Sequence, residues 1–207
     1  LNPEQKRQLE SHIAVAESKT SGEIVVRVVR SSGGYAWIPW FYAAAGLVVA
    51  SAAIGVCSFY DWGFSALQLL EWQIVGACAG LLFSFWSTSR RWLVSQKVRA
   101  GKVHRQALAH FVAAGITETR DRTGILIYVS EFEHRVEIIG DKGIHALVGT
   151  SYWKEQVEGI VQGVAAGQAA EALCRAVDEM GAKLASHFPP RADDTNELPN
   201  TVESEED

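Results

Sequence analysis

The 207-residue chain has three cysteines, one methionine and five prolines. Three cysteines do not make a disulfide framework, and no CxxC or Cys/His spacing is present that would close a zinc site. Cys57 and Cys78 fall in apolar runs and Cys174 in a helical pattern, so all three read as small buried or lipid-facing residues. HExxH, GxSxG and the glycine-rich phosphate loops are absent, and no cysteine stands beside a residue suited to act as its general base. The familiar zincin, serine-hydrolase and P-loop chemistries are therefore not written in this chain, and no internal repeat is apparent. Net charge discriminates little. It is −5 overall, but residues 189–207 carry seven acids and one base, which leaves the rest near +1.

What the sequence does have is a long run without charge. Residues 37–59 contain no Asp, Glu, Lys or Arg, and Trp37, Trp40, Tyr60 and Trp62 stand at the ends. About 20 apolar residues of helix cross a hydrocarbon core, and amphipathic aromatics favour its interfaces. Pro39 falls in the first turn, where a missing N–H costs little. A second, less clean run covers residues 69–86, with Glu71 near its start and Trp72 and Trp86 bracketing the uncharged part. Gly76, Ala77, Ala79 and Gly80 on this run, and Ala43, Gly46, Ala50 and Ala53 on the first, are small enough for close helix packing. Thirty-six residues precede the first run, which argues against a secretory signal, although a chain opening at Leu1 leaves room for a short leader. The expectation is a transmembrane hairpin over residues 37–89.

Flanking charge orients it. The connection 60–71 holds Asp61 and Glu71 and no base, whereas Arg90, Arg91, Lys97, Arg99, Lys102 and Arg105 follow the second run without an acid among them. Arg27 and Arg30 add to the other flank. Positive charge stays on the cytoplasmic side, so both flanks are expected there, in a bacterial inner membrane with two spans. The same six bases are expected to meet anionic lipid head groups, at about 1 kcal/mol for each charge near the surface. Nucleic acid is not expected as a partner, because this cluster abuts a span.

Outside the hairpin the periodicity is α/β. Residues 3–19 read as a helix with Asn2 as N-cap and Pro3 at its first position, burying Leu9, Ile13 and Ala16. Residues 23–29 (EIVVRVV) read as a strand covered on both faces. A long helix is expected over 92–119, strands over 125–130 and 135–140 joined by a short connection, and helices over 152–166 and 168–187. Pro189 and Pro190 stop the last helix, and the acidic remainder, 189–207, has too few apolar groups to fold alone, so it is expected to be disordered. One strand is not a sheet. Residues 1–36 and 90–188 are therefore expected to form a single soluble domain, split by the hairpin.

A helix, SGEIVVRVV, a long helix, then DRTGILIYVSEFEHRVEIIGDKGI and two helices resemble the TPM domain family. The most specific piece is a glycine opening an apolar strand, a tight connection and R-x-E before a Gly-containing turn: Gly124, Arg135, Glu137, Gly140 and Gly143. The resemblance implies an α/β sandwich with a small sheet between helices. It also implies a range of roles, from calcium-binding acid phosphatase to assembly or repair factor for membrane complexes or auxiliary channel subunit. Many members place Asp-Asn directly before the strand-opening glycine and Gly-Leu-Glu-Gly after the second strand. This chain has Asp121-Arg122-Thr123-Gly124 and Gly143-Ile144-His145-Ala146. Ca²⁺ takes several oxygen ligands; Asp121 and Asp141 alone make a poor all-protein site.

The candidates for chemistry are accordingly few. Arg135 and Glu137 alternate with Val136 and Ile138 and so share a face, as an anion clamp and an acid/base group, or more simply as partners in ion pairs. His145 falls where a cleft is expected. His104 and His110, six residues apart on a helix, read as unrelated to each other. The reading as a whole is an integral membrane protein whose TPM-like domain binds or assists a membrane-protein partner without catalysis. The alternative is a Ca²⁺-dependent phosphatase using Asp121, Arg135, Glu137, Asp141 and His145.

Overall fold

Asn2 starts the first helix by reciprocal capping. Its side chain accepts from the Gln5 N–H at 2.7 Å, and the Gln5 side chain accepts from the Asn2 N–H at 3.0 Å. The computed structural model describes residues 1–60, 63–86, 91–191 and 196–204, with only the backbone described at 145–147, 150, 203 and 204. In chain order the elements are α1 (Pro3–Glu17), β1 (Ile24–Val29), α2 (Trp37–Phe59), α3 (Ala66–Ser84), α4 (Gln96–Ala113), β2 (Ile125–Ser130), β3 (Arg135–Gly140), α5 (Lys142–Val148), α6 (Thr150–Ala165), α7 (Ala169–Ala185) and β4 (Glu203–Ser204). They fall into two compact units, Leu1–Ser32 with Ala100–Asp207, and Gly33–Arg99.

In the first unit the sheet runs β3-β2-β1-β4. β1 pairs in parallel with β2, Ile24 opposite Ile125 and Val29 opposite Ser130, while β3 returns antiparallel with Ile125 opposite Gly140. All of β2 is buried, as expected of a central strand covered on both faces. One face packs Ile24, Val26, Val28, Ile125, Ile127 and Val129 against Leu9, Ile13 and Ala16 of α1 and Leu173, Val177 and Met180 of α7. The other packs Val29, Leu126 and Tyr128 against Val103, Ala107 and Phe111 of α4. The result is an α/β sandwich with a small sheet between helices. Close approach of α1 to α7 is set by Gly181, where a Cβ would stand 2.6 Å from that of Ala16.

Two expectations change. The helix expected over 92–119 ends at Ala113, because Gly115 takes a left-handed conformation (φ 69°) and the chain tightens into a 3₁₀ turn, Ile116–Glu118. The acidic segment is not disordered where it reaches the sheet. β4 pairs in parallel with Arg27 and Val28 of β1, Val202 is fully buried, and its N–H donates to Glu10 at 3.1 Å. The segment cannot build a core, but it needs only one apolar side chain to add a strand to an edge already present.

In the second unit α2 and α3 pack against each other through glycine. A Cβ on Gly46 would lie 2.0 Å from the Gly76 carbonyl oxygen, and one on Gly80 would lie 2.0 Å from that of Tyr42. Gln73 Nε2 donates to Ser51 Oγ across the pair at 3.0 Å, and the Tyr42 and Phe83 rings meet edge to face at 5.3 Å. Both helices are long and apolar enough to cross a membrane, and only 6% and 0% of their most apolar windows are buried, so neither is a core helix. Gly80→Leu should destabilise the hairpin by at least about 1–3 kcal/mol through overpacking. Gly55→Leu, with nothing within 4 Å of its Cβ position, should leave it unchanged; unfolding in bicelles measures both.

Candidate functional site

The Gly-opened strand and the turn after β3 meet at one end of the sheet. Asp141 N–H donates to the Gly124 carbonyl at 2.9 Å, and Gly143 N–H to that of Arg122 at 3.2 Å. Gly143 is required for this approach, since a Cβ there would lie 2.7 Å from the Arg122 carbonyl oxygen. Arg122 itself sits at φ 58°, a left-handed conformation that costs a non-glycine residue energy. Asp121 and Asp141 are thus carried on adjoining loops, each facing an arginine. Asp121 pairs with Arg191, and Arg122 Nη1 lies 3.6 Å from Asp141 Oδ2. Asp141 is only 5% exposed, and its Oδ1 caps α5 by accepting from the Lys142 N–H at 2.6 Å.

Calcium takes six to eight oxygens. Here two carboxylates face guanidinium groups, and among the described residues no group of three or more His, Cys, Asp or Glu could hold a metal ion. The described residues do not fit the ion that the resemblance implies. His145 lies on α5, and its side chain falls outside the described residues, as does Arg90 altogether.

Arg135 and Glu137, two residues apart on β3, have different neighbours. Arg135 lines a recess of about 350 Å³ with Ser130, His134, Val161 and Val164. Glu137 lies 3.5 Å from His104 Nδ1 of α4. In the strand register Glu137 stands opposite Tyr128, and the His110 ring stacks on Tyr128 with centroids 5.5 Å apart. The sheet therefore gathers His104, His110, Tyr128 and Glu137 along α4, a group that helix spacing alone does not suggest. The two histidines flank the buried side of the helix, and β2 and β3 bring them a common surface.

At the other end of β2 lies a polar network absent from the list of candidates. Glu133, 2% exposed, accepts from the Ser32 N–H at 3.0 Å, the Ser31 hydroxyl at 3.3 Å and the Ser130 hydroxyl at 2.5 Å. The Ser32 hydroxyl lies 2.8 Å from Ser130 Oγ and 3.1 Å from the Tyr128 hydroxyl oxygen. Nothing in the sequence separates Glu133 from Glu131 two positions earlier in the same connection, which closes with His134 at φ 50°.

Residues 94–183 match the model of the TPM domain. The chain carries a TPM domain. Its fold is similar to the NMR structure of the BA42 protein from the psychrophilic bacterium Bizionia argentinensis, with a TM-score of 0.62 and 21% identity over 99% of this chain and 95% of that one. None of the curated proteins matches. The matched span of the TPM domain holds β2, β3 and α4–α7 save the ends, while β1, which completes its sheet, lies before the hairpin.

The most perturbed titration in the TPM unit is at Glu17. Burial pushes it up to about 8, opposed by the Ile24 N–H that donates to it at 2.8 Å, and neighbouring Glu23 raises it further. Glu23 in turn accepts from the Glu197 N–H at 3.1 Å, tying the acidic segment to this pair. A carboxyl raised from 4.5 to about 8 holds a proton in the folded state that the unfolded chain has lost. Stability therefore falls as pH rises through that window. Thermal melts should show this decline, and Glu17→Gln, which mimics the protonated form, should flatten it.

A calcium titration tests the metal fit directly. A site of micromolar Kd would stabilise the fold by about 4 kcal/mol at thousandfold excess. The expected result is no change in melting temperature up to millimolar calcium.

Proposed function

We propose that this protein is a membrane-tethered TPM-domain module that binds and maintains or assembles a membrane-protein partner, and that it does so without turning over a substrate. The observation that carries the reading is the pairing of β1 with β2 across an inserted pair of apolar helices. A domain whose inner strand precedes the hairpin cannot be released from it without losing its sheet, so its partner must be met at the membrane. The engagement of Asp121 and Asp141 by arginines supports a role other than metal-assisted hydrolysis. The flanking bases support a cytoplasmic placement in a bacterial inner membrane.

A second reading, phosphate-ester hydrolysis centred on Asp141, is favoured by one observation: Asp141 Oδ2 is buried and accepts no hydrogen bond among the described residues, with the Arg122 guanidinium beside it. The full chain in nanodiscs separates the two. On the first reading, photo-crosslinking in native membranes captures one specific membrane protein, Asp141→Ala still captures it, and purified protein hydrolyses p-nitrophenyl phosphate no faster than Asp141→Ala does. Turnover that is lost in Asp141→Ala, with no specific crosslink, would establish the second and overturn the first.

A further inference from the structure

α4 buries Val103, Ala107 and Phe111 against the sheet, and its opposite side is not the polar surface such a helix ordinarily presents to water. Leu108 is 41% and Val112 64% exposed, and Gly101 and Ala109 are exposed on the same side. One turn before Gly101 stands Val98, 50% exposed. Val98, Arg105 and Val112 follow one another at seven-residue steps, so a second apolar stripe with one arginine at its middle runs along the outside. Lys97 and Lys102 flank that stripe, and the helix Gln96–Ala113 contains no Asp or Glu.

We propose that this outward face of α4 docks in the plane of an anionic lipid surface, its apolar stripe among the acyl-chain ends and its bases at the phosphates. The inference rests on the reading of α2 and α3 as membrane spans. Charge argues for this occupant, because bases without acids on a helix with apolar residues between them are the pattern of an interfacial helix. Connectivity argues for it too. Eleven residues separate the end of α3 from the start of α4, which at full extension keeps α4 within about 40 Å of a span's end. Exposed Trp92, in that connection, suits the head-group region. The docked helix would hold the TPM domain against the bilayer, so that it meets a partner's membrane-proximal surface.

The test uses the full chain in liposomes of phosphatidylcholine with or without phosphatidylglycerol. The native cysteines are replaced by alanine, and a spin label is placed at Val112 or, as a reference, at Val75 of α3. Oxygen and nickel-chelate accessibilities report depth. The expected result is a Val75 label in the acyl region in both lipids and a Val112 label that leaves water only when phosphatidylglycerol is present. Lys97→Glu/Arg105→Glu should return it to water, each base removed lowering the docked population about fivefold. Hydroxyl-radical footprinting of the unmodified chain, reading oxidation at Leu108 and Val112, repeats the measurement where cysteine replacement disturbs folding.

A Val112 label that stays in water while Val75 is in lipid overturns the docking and leaves the spans. A Val75 label in water overturns the spans themselves, and the docking with them. Immersion of Val112 in both lipids overturns the anionic selectivity. Spin–spin broadening at Val112 in place of lipid contact overturns the lipid surface as occupant and points to a second copy of the chain.

Discussion

Everything in the unit that holds the sheet depends on the parallel ladder between β1 and β2. Six consecutive residues of β1 stand opposite six of β2, and both faces of that ladder are covered by helices, so the strands are near-continuous apolar runs without alternation. Parallel neighbours need a long connection, since a tight turn joins only antiparallel strands. This chain makes the connection with two apolar helices and α4. The hairpin thus sits within a crossover that had to be long in any case. Loop-closure entropy rises only slowly with length, so the insertion costs the sheet little. β4 shows the same logic on a smaller scale: the edge of β1 supplies the backbone partners and Val202 fills one core position.

The second constraint is the fate of buried and half-buried acids. Asp141, Glu23 and Glu133 all lie deep in the fold, where an ionised carboxylate without partners is very costly. Each meets donors from backbone, arginine or serine: Lys142 N–H and Arg122 for Asp141, Glu197 N–H for Glu23, Ser32 N–H and serine hydroxyls for Glu133. These acids stitch connections together. Asp141 starts a helix, Glu23 holds the acidic segment, and Glu133 holds the chain where it leaves β1. A TPM domain does not dictate what chemistry it hosts, and in this one these three acids hold connections in place.

How much of this the sequence carried depended on the range of the interaction. Strands over 125–130 and 135–140 and the apolar helix over 37–59 were readable because their patterns are local and long. Asn2 and Pro3 announced the first helix for the same reason. The end of α4 was misplaced by six residues, since Gly115 is one residue whose left-handed backbone outweighs a continuing apolar pattern. The grouping of His104, His110, Tyr128 and Glu137 was not readable. It depends on the register between β2 and β3 and on the rotation of α4, neither of which leaves a mark in residue spacing. The partners of Asp121 were equally hidden, because Arg191 is 70 positions away in the chain.

Glu133 shows why long-range contacts decide function here. Taken alone, an acid in a four-residue connection is turn chemistry. In the fold it accepts from Ser31 and Ser32, about 100 residues earlier, at the point where the chain leaves β1. Below it Ser130 and Tyr128 extend the network along β2, and the His110 ring covers Tyr128 on the α4 side. The last residues of β1 are therefore fixed by charge-assisted hydrogen bonds, which are stronger than neutral ones, in a site with little water to compete. A strand end that precedes a long insertion is where a sheet would otherwise fray. By clamping Ser31 and Ser32 to the β2–β3 connection, the network holds the end of β1 in the β1–β2 ladder, and so lets one chain carry both the sheet and a long insertion between its strands.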